Sequence, residues 1–367
     1  MMENTTTQAD WFSCPGDSVV AAMQRRGVSP TILADRLAGG MQQLRNLVSG
    51  TESINEQSAA VLGEVVGGSA FFWLKRQQNY ELALEKAVSA VSPEDSKIWL
   101  AVPAPGPNPR GRLDEAKRRA ELRRRLAFFA VGTLGAWHAR YGRDREQTRF
   151  RKSTTLTSDD GATSMWLRQA ELEATLAETN EWNPSALEAR MGDIKKLSRI
   201  SQPKRFLPQL KRLLAEAGVA LIVQRTQKGC KASGASRMIS PDRAMILLSF
   251  RFRSDEQFWF TLFHEIGHLL LHGEQSFVDG DEMPDDKCEQ EANAFAASIV
   301  VPPHAEGDFE RLTNNYRDIT RFAVAVGVAP GLVRGQLEHR GYIGRDRLTY
   351  LRRTWEWSEI DEAIASL

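Results

Sequence analysis

Residues 264–268, His264-Glu265-Ile266-Gly267-His268, have the types and spacing to do hydrolytic chemistry on a metal. Residues four apart on an α-helix lie on one face, about one turn up, so both imidazoles can aim at a single ion. Glu265 stands one position round, within reach of a water on that ion but outside the ligand set. Zinc lowers the pKa of such a water to about 7, and a glutamate can take its proton as it attacks a carbonyl. The surrounding run, Phe258 to Gly273, is apolar, free of proline and closed by glycine. That pattern predicts one buried helix with a glycine stop. Histidine is scarce, six in 367 residues, so the pairing is no by-product of a histidine-rich composition.

Two histidine ligands need at least one more protein donor, with one position left open for water. A third histidine ten residues after the first is missing, because position 274 is Glu274 and position 271 is Leu271 rather than glycine. His272 continues the spacing but lies a further turn along, either behind the ligands or at the surface. The better source is a second helix over Cys288–Val301, opened by the acidic stretch Asp279–Asp286 and stopped by Pro302-Pro303. Glu289 and Asn293 share a face there, while Ala292, Phe295, Ala296 and Ile299 form its core side. Glu289 can then bind the metal, one Zn2+ per chain, and Asn293 can orient the ring of His264 or His268. Glu291 is the competing donor, although it points about 160° away from Asn293.

FWFTLFHEIGHLLLHG followed by CEQEANAFAASIVVPP resembles the ImmA/IrrE family of metallo-endopeptidases. In that family a helix with His-Glu-x-x-His precedes a glutamate-rich helix that ends in proline. Val300-Val301 stands where leucine-methionine is more usual. Upstream, an amphipathic helix (Leu207, Leu210, Leu213, Leu214) leads to a short apolar strand, Gly218–Val223, and a second strand is expected at Ala244–Ser249. The glycine- and serine-bearing segment Lys228–Ser240 between them reads as a loop. The resemblance spans roughly residues 185–335. It implies a zincin-like peptidase with a three-strand or similar sheet, and a protein substrate of helix-turn-helix repressor type.

The amino-terminal segment has its own layout. Pro30–Leu37 and Met41–Ser49 read as two short helices around a Gly39-Gly40 turn, with Asn55 capping a further helix. Gln42, Gln43, Arg45 and Asn46 occupy the outer face of the second, and these types read base edges in a major groove. Pro15-Gly16-Asp17 and the stretch Gly68–Leu82 resemble HigA-type antitoxin DNA-binding domains, which implies DNA as a partner. Gly39-Gly40 departs from that pattern, removing an apolar contact and a hydroxyl cap. Glu52 puts a negative charge where such domains meet phosphate. A helical bundle that binds protein instead of DNA is the other reading.

The expected fold is mainly α with a small β-sheet (α+β). The expected domains are a helix-turn-helix unit at 1–85, a mainly helical connector at 86–184, a zinc metallopeptidase domain at 185–310 and a helical tail at 311–367. Prolines at alternate positions from Pro103 to Pro109 break the connector. An irregular stretch, Ser153–Gly161, precedes a helix from Thr163 to about Thr179. Leu126–Ala139 is uncharged, too short to span a bilayer, and reads as one buried helix. Between Arg110 and Lys152 stand 14 Lys/Arg against 5 Asp/Glu, either a phosphate-binding surface or a solvated helix face. In the tail, Ile319, Phe322, Ala323, Val326, Leu332, Val333 and Leu337 are expected in a core, and Arg334, His339 and Arg340 on the surface or along a substrate groove.

The net charge of +1, with 42% hydrophobic and 26% charged residues, describes an ordinary globular chain and does not by itself imply nucleic-acid binding. Met1–Asp17 lacks the apolar core of a signal peptide, and three cysteines form no disulfide or Cys-x-x-Cys pattern. A reducing cytoplasm and no membrane partner are the expectation. The function expected is a zinc endopeptidase fused to a DNA-binding module, acting as a stress- or signal-responsive regulator. The alternative is an antitoxin-like repressor whose zinc domain senses or scaffolds; Glu265 argues against it, since metal binding alone needs no base.

Overall fold

The computed structural model describes residues 12–106, 111, 113–141, 158–273, 277–278 and 287–367, with the side chains of residues 158, 159, 277 and 278 left aside. The acidic stretch Asp279–Asp286, much of the basic segment and part of the proline-rich break lie outside them. The fold is mainly helical with one small sheet, the α+β class that the sequence pattern predicts. It divides into two units. One comprises the described residues up to Leu176 together with Gln227–Cys230, and the other Ala177–Thr226 and Lys231–Leu367.

The first unit holds α1 (Pro15–Arg26), α2 (Pro30–Arg36), α3 (Gly40–Ser49), α4 (Glu56–Val65), α5 (Ala70–Ala90), α6 (Pro93–Ala101), α7 (Glu115–Phe129), α8 (Leu134–Tyr141) and α9 (Ser158–Thr175). Local chemistry sets the first boundaries. Pro15 and Pro30 open α1 and α2, whose fixed φ suits the first helical position. Asn55 and Ser58 exchange bonds of 2.9 Å in a capping box for α4. Leu33, Leu44, Leu47, Leu62 and Trp73 share one core, into which Leu176 also packs. Gly16 is needed where α1 crosses α3, since a Cβ there would stand 2.4 Å from the Val48 carbonyl oxygen.

The connector departs from expectation in two places. The single buried helix over Leu126–Ala139 is two, because Ala130 turns left-handed (φ 51°) and Thr133 caps the next helix through its hydroxyl, 3.1 Å from Ala136 N. Hydropathy is blind to such a break when both flanks are buried. The later helix begins at Ser158 and ends at Thr175, earlier at both ends than its composition suggests. In the described part of the basic run Lys117 and Arg118 are exposed, as on a solvated helix face, and other members are paired. Arg119 and Arg123 pair with Glu85 on α5, and Arg125 is buried against Glu121 and the Val102 carbonyl.

The second unit contains α10 (Pro184–Leu197), α11 (Pro203–Ala215), β1 (Val219–Val223), β2 (Gly234–Ser240), β3 (Arg243–Leu248), α12 (Asp255–Leu271), β4 (Phe277–Val278), α13 (Lys287–Val300), α14 (Glu306–Glu310), α15 (Tyr316–Val326), α16 (Pro330–His339) and α17 (Trp357–Ala365). The sheet has four strands in the order β1-β3-β2-β4. β1 runs parallel to β3, with Val219 opposite Ala244, and β2 is antiparallel to both β3 and β4. β2 is a strand within the Lys228–Ser240 segment, where the residue pattern predicts a loop. Gly234, Ala235 and Ser236 have little β preference of their own, so pairing with β3 and not propensity makes them a strand.

α12 is the central helix of this unit, with Phe258, Trp259, Leu262, Phe263 and Ile266 in a core shared with α11, the sheet and α16. Its start is pinned by the far end of the chain. Asp255 N–H donates to the Arg353 carbonyl at 3.0 Å, and Trp355 N–H to the Arg253 carbonyl at 2.8 Å. Trp355 packs its ring against Phe206, Phe250 and Phe258. Arg334 is a correction. It is wholly buried, bonded to Glu256 at 3.2 Å and Glu338 at 2.6 Å, and shares these carboxylates with Arg352. Its i,i+4 partner Glu338 was the available sequence signal; Glu256 lies too far away in the chain to be foreseen.

Candidate metal centre

α12 runs from Asp255 to Leu271 without interruption, so His264 and His268 stack one turn apart on one face. Their Nε2 atoms lie 2.9 Å from each other, and both rings are buried. α13 crosses this face closely because position 267 is glycine. A Cβ on Gly267 would meet the Ala292 Cα at 3.3 Å and the Phe295 ring at 3.1 Å. That approach carries Glu289 to the histidines, its carboxylate 3.2 Å from His264 Nε2 and 3.5 Å from His268 Nε2. One ligand atom from each of the three residues falls within 4.8 Å of the others, and among the described residues no other His, Cys, Asp or Glu group of three does so.

The remaining ring nitrogens are engaged behind this face. Asn293 Oδ1 lies 3.0 Å from His264 Nδ1, which fits the orienting role expected of it. Glu291 turns the other way, its Oε2 3.0 Å from His272 Nε2. Glu289 therefore faces the histidine pair and Glu291 does not. Burial pushes the Glu289 carboxyl up, but the hydrogen bonds and charges of His264 and His268 outweigh it and hold the group down at about 2. Burial pushes His268 below the ordinary histidine range, against the pull of Glu289. Burial of His268 favours the neutral imidazole that binds metal. Two imidazole nitrogens and one carboxylate in a buried setting suit zinc, and leave a coordination position for water.

Glu265 is fully buried beside the ligands and contributes no atom to the three-donor group. It faces β2, where a Cβ on Gly234 would stand 2.6 Å from its Oε1 and 2.6 Å from Thr261 Cγ2. The strand missed in the sequence thus borders the expected base. Its glycine was a signal, since a glycine within a strand often marks a close approach.

The four candidate base-reading residues of α3 all have partners in their own unit. Gln43 Oε1 accepts from Gly39 N–H at 3.0 Å, serving the helix start that lacks a hydroxyl cap. Its amide donates to Glu52 at 2.7 Å, and Asn46 donates to the same carboxylate at 3.4 Å. Gln42 donates to Asn46 at 3.0 Å, and Arg45 pairs with Glu173 of α9 at 3.2 Å. Gln42 and Arg45 remain exposed. The polar face is assembled, with its hydrogen-bonding capacity partly spent inside the protein.

A histidine-bearing helix, a crossing helix that supplies a carboxylate, and a sheet behind them define a metallopeptidase-like domain. Residues 222–338 match the family model described as the IrrE N-terminal-like domain, Peptidase M78. The match begins within β1 and ends within α16, leaving α1–α11 and α17 outside it. It supports the ImmA/IrrE resemblance for this region and points to protease activity of the zinc-dependent kind. No curated protein matches the chain. Among the described residues no helix is long and apolar enough to cross a membrane.

Proposed function

We propose that the chain is a cytoplasmic zinc endopeptidase joined to a helix-turn-helix module, and that it cleaves a transcriptional repressor of the circuit it regulates. The observation that carries this reading is the convergence of His264, His268 and Glu289 beside a buried Glu265. A zinc ion held there supplies Lewis acidity for water and for the scissile carbonyl. His264, His268 and Glu289 hold the ion, and Asn293 keeps the His264 ring turned toward it. Glu265 takes a proton from the attacking water and delivers it to the leaving amine, the work of a general base and then a general acid. The low-dielectric surroundings strengthen each of these charge interactions. The DNA-contacting residues are Gln42, Gln43, Arg45 and Asn46, once Glu52 and Glu173 release them.

The test incubates full-length protein with helix-turn-helix repressors encoded beside its gene, with zinc or with a chelator. Discrete cleavage that the chelator and Glu265→Gln both abolish is the expected result. Zinc-loaded protein that cuts none of these repressors, or a Glu265→Gln variant as active as the parent, overturns the reading.

A further inference from the structure

His272 stands one turn beyond His268 at the end of α12, with its side chain only 5% exposed. Its two ring nitrogens have different partners. Nε2 lies 3.0 Å from Glu291 Oε2, and Nδ1 lies 3.0 Å from His268 Nδ1. A carboxylate oxygen only accepts, so the proton of the neutral His272 ring sits on Nε2. Nδ1 of His272 is then an acceptor, and the bond to His268 forms only if His268 Nδ1 carries the hydrogen. That choice leaves the His268 Nε2 lone pair turned toward His264 Nε2 and Glu289. His264 reaches the same state in one step, through Asn293 Oδ1.

We propose that His272 and Glu291 are positioning residues for the metal centre, a relay in which a carboxylate on α13 sets the tautomer and ring orientation of a ligand on α12. The inference rests on His264, His268 and Glu289 being the zinc ligands. Glu291, the rival third ligand by sequence, serves the site from behind. The relay also ties the end of α12 to α13 independently of the ion, so the His268 ring is held in its binding orientation beforehand. Partners of this kind are worth about 10–100-fold in metal affinity.

The test measures zinc affinity of the full chain by competition with a chromophoric chelator, together with the visible spectrum of the cobalt-substituted protein. His272→Phe keeps the ring volume and removes the acceptor; we expect affinity to fall about 10–100-fold with a shifted cobalt spectrum. His272→Asn places Oδ1 where Nδ1 stood, and should recover most of the affinity. Glu291→Ala should weaken binding in the parent and change nothing further in the His272→Asn background, where no ring transmits the carboxylate's effect. Parent-like affinity in His272→Phe overturns the relay, and so does an Asn variant no better than Phe, which would mark simple packing. If His272→Phe fails to fold, the Glu291→Ala comparison decides, because that side chain is half exposed and its removal leaves the core intact. A parent chain that binds no zinc, or a His264→Ala variant that binds it as well, brings down the underlying ligand assignment instead.

Discussion

Glu265 and Glu289 are both carboxylates beside the same histidines, and their surroundings assign them different work. Glu289 shares hydrogen bonds with both Nε2 atoms and stays ionised, whereas Glu265 lies against β2. Glu265→Gln should keep one zinc per chain while lowering turnover at least about 100-fold, the usual span of general-base loss. Glu289→Ala should lose zinc, whereas Glu291→Ala should still load one zinc per chain in excess metal, at lower affinity; metal analysis in excess zinc and after dialysis reads both. Asp255 offers a separate test at this scale. Burial raises its carboxyl from 3.8 to about 6, against hydrogen bonds from the Arg353 and Glu256 amides, and Oδ2 is buried without a partner. A proton is bound more tightly folded than unfolded, so this contribution is fully present below about pH 4 and lost as pH rises through about 6. Asp255→Asn keeps the amide-accepting oxygen, and should flatten that slope and raise the urea midpoint at pH 8 relative to the parent.

At the scale of elements, two glycines set the distances that make the site. Gly267 lets α13 approach, and Gly234 lets β2 lie against Glu265. Gly267→Val has to push α13 away from the histidines; an overpacking cost of about 1–3 kcal/mol is expected, with weaker zinc binding. Gly234→Ala collides with Glu265 itself and should retain zinc but lose peptide cleavage, so that metal content and activity separate in the two variants. Equal zinc loss in both would refute this division of roles. In the first unit, α3 presents Arg45 already paired with Glu173 of α9. If α3 enters a major groove, Glu173→Gln should strengthen binding to the protein's own promoter DNA, and Arg45→Ala should cost about 1–3 kcal/mol of specific binding. Gel shifts at low salt that show no complex with either protein would favour the bundle as a protein-binding module.

At the scale of the whole molecule, the proposed fusion would act through local concentration. A peptidase tied to a module that sits at a promoter, or on a repressor, meets its substrate as a near-intramolecular partner. A fragment of residues 177–367, which holds the whole second unit together with Gln227–Cys230, should bind zinc as the full chain does. It should cut the circuit's repressor more slowly at dilute concentration, with the gap closing as both proteins are concentrated. Rapid digestion of unrelated unfolded proteins by the full chain would count against so narrow a specificity.

The sequence alone determined what repeats on one helix or within one turn. The four-residue spacing of His264 and His268, the shared face of Glu289 and Asn293, the Asn55 cap and the apolar runs of β1 and β3 are local periodicities that survive folding unchanged. Tertiary structure decided whatever needed a partner from elsewhere in the chain. β2 exists because β3 pairs with it, Arg334 is buried because Glu256 meets it, and Glu52 with Glu173 engages the face of α3. The turning of Glu291 to His272 is of the same kind: helical spacing separates it from Glu289, but only the packing of α13 on α12 shows what it meets. A one-dimensional pattern carries the direction of a side chain about its own helix axis, and it carries nothing about the surface that comes to face it.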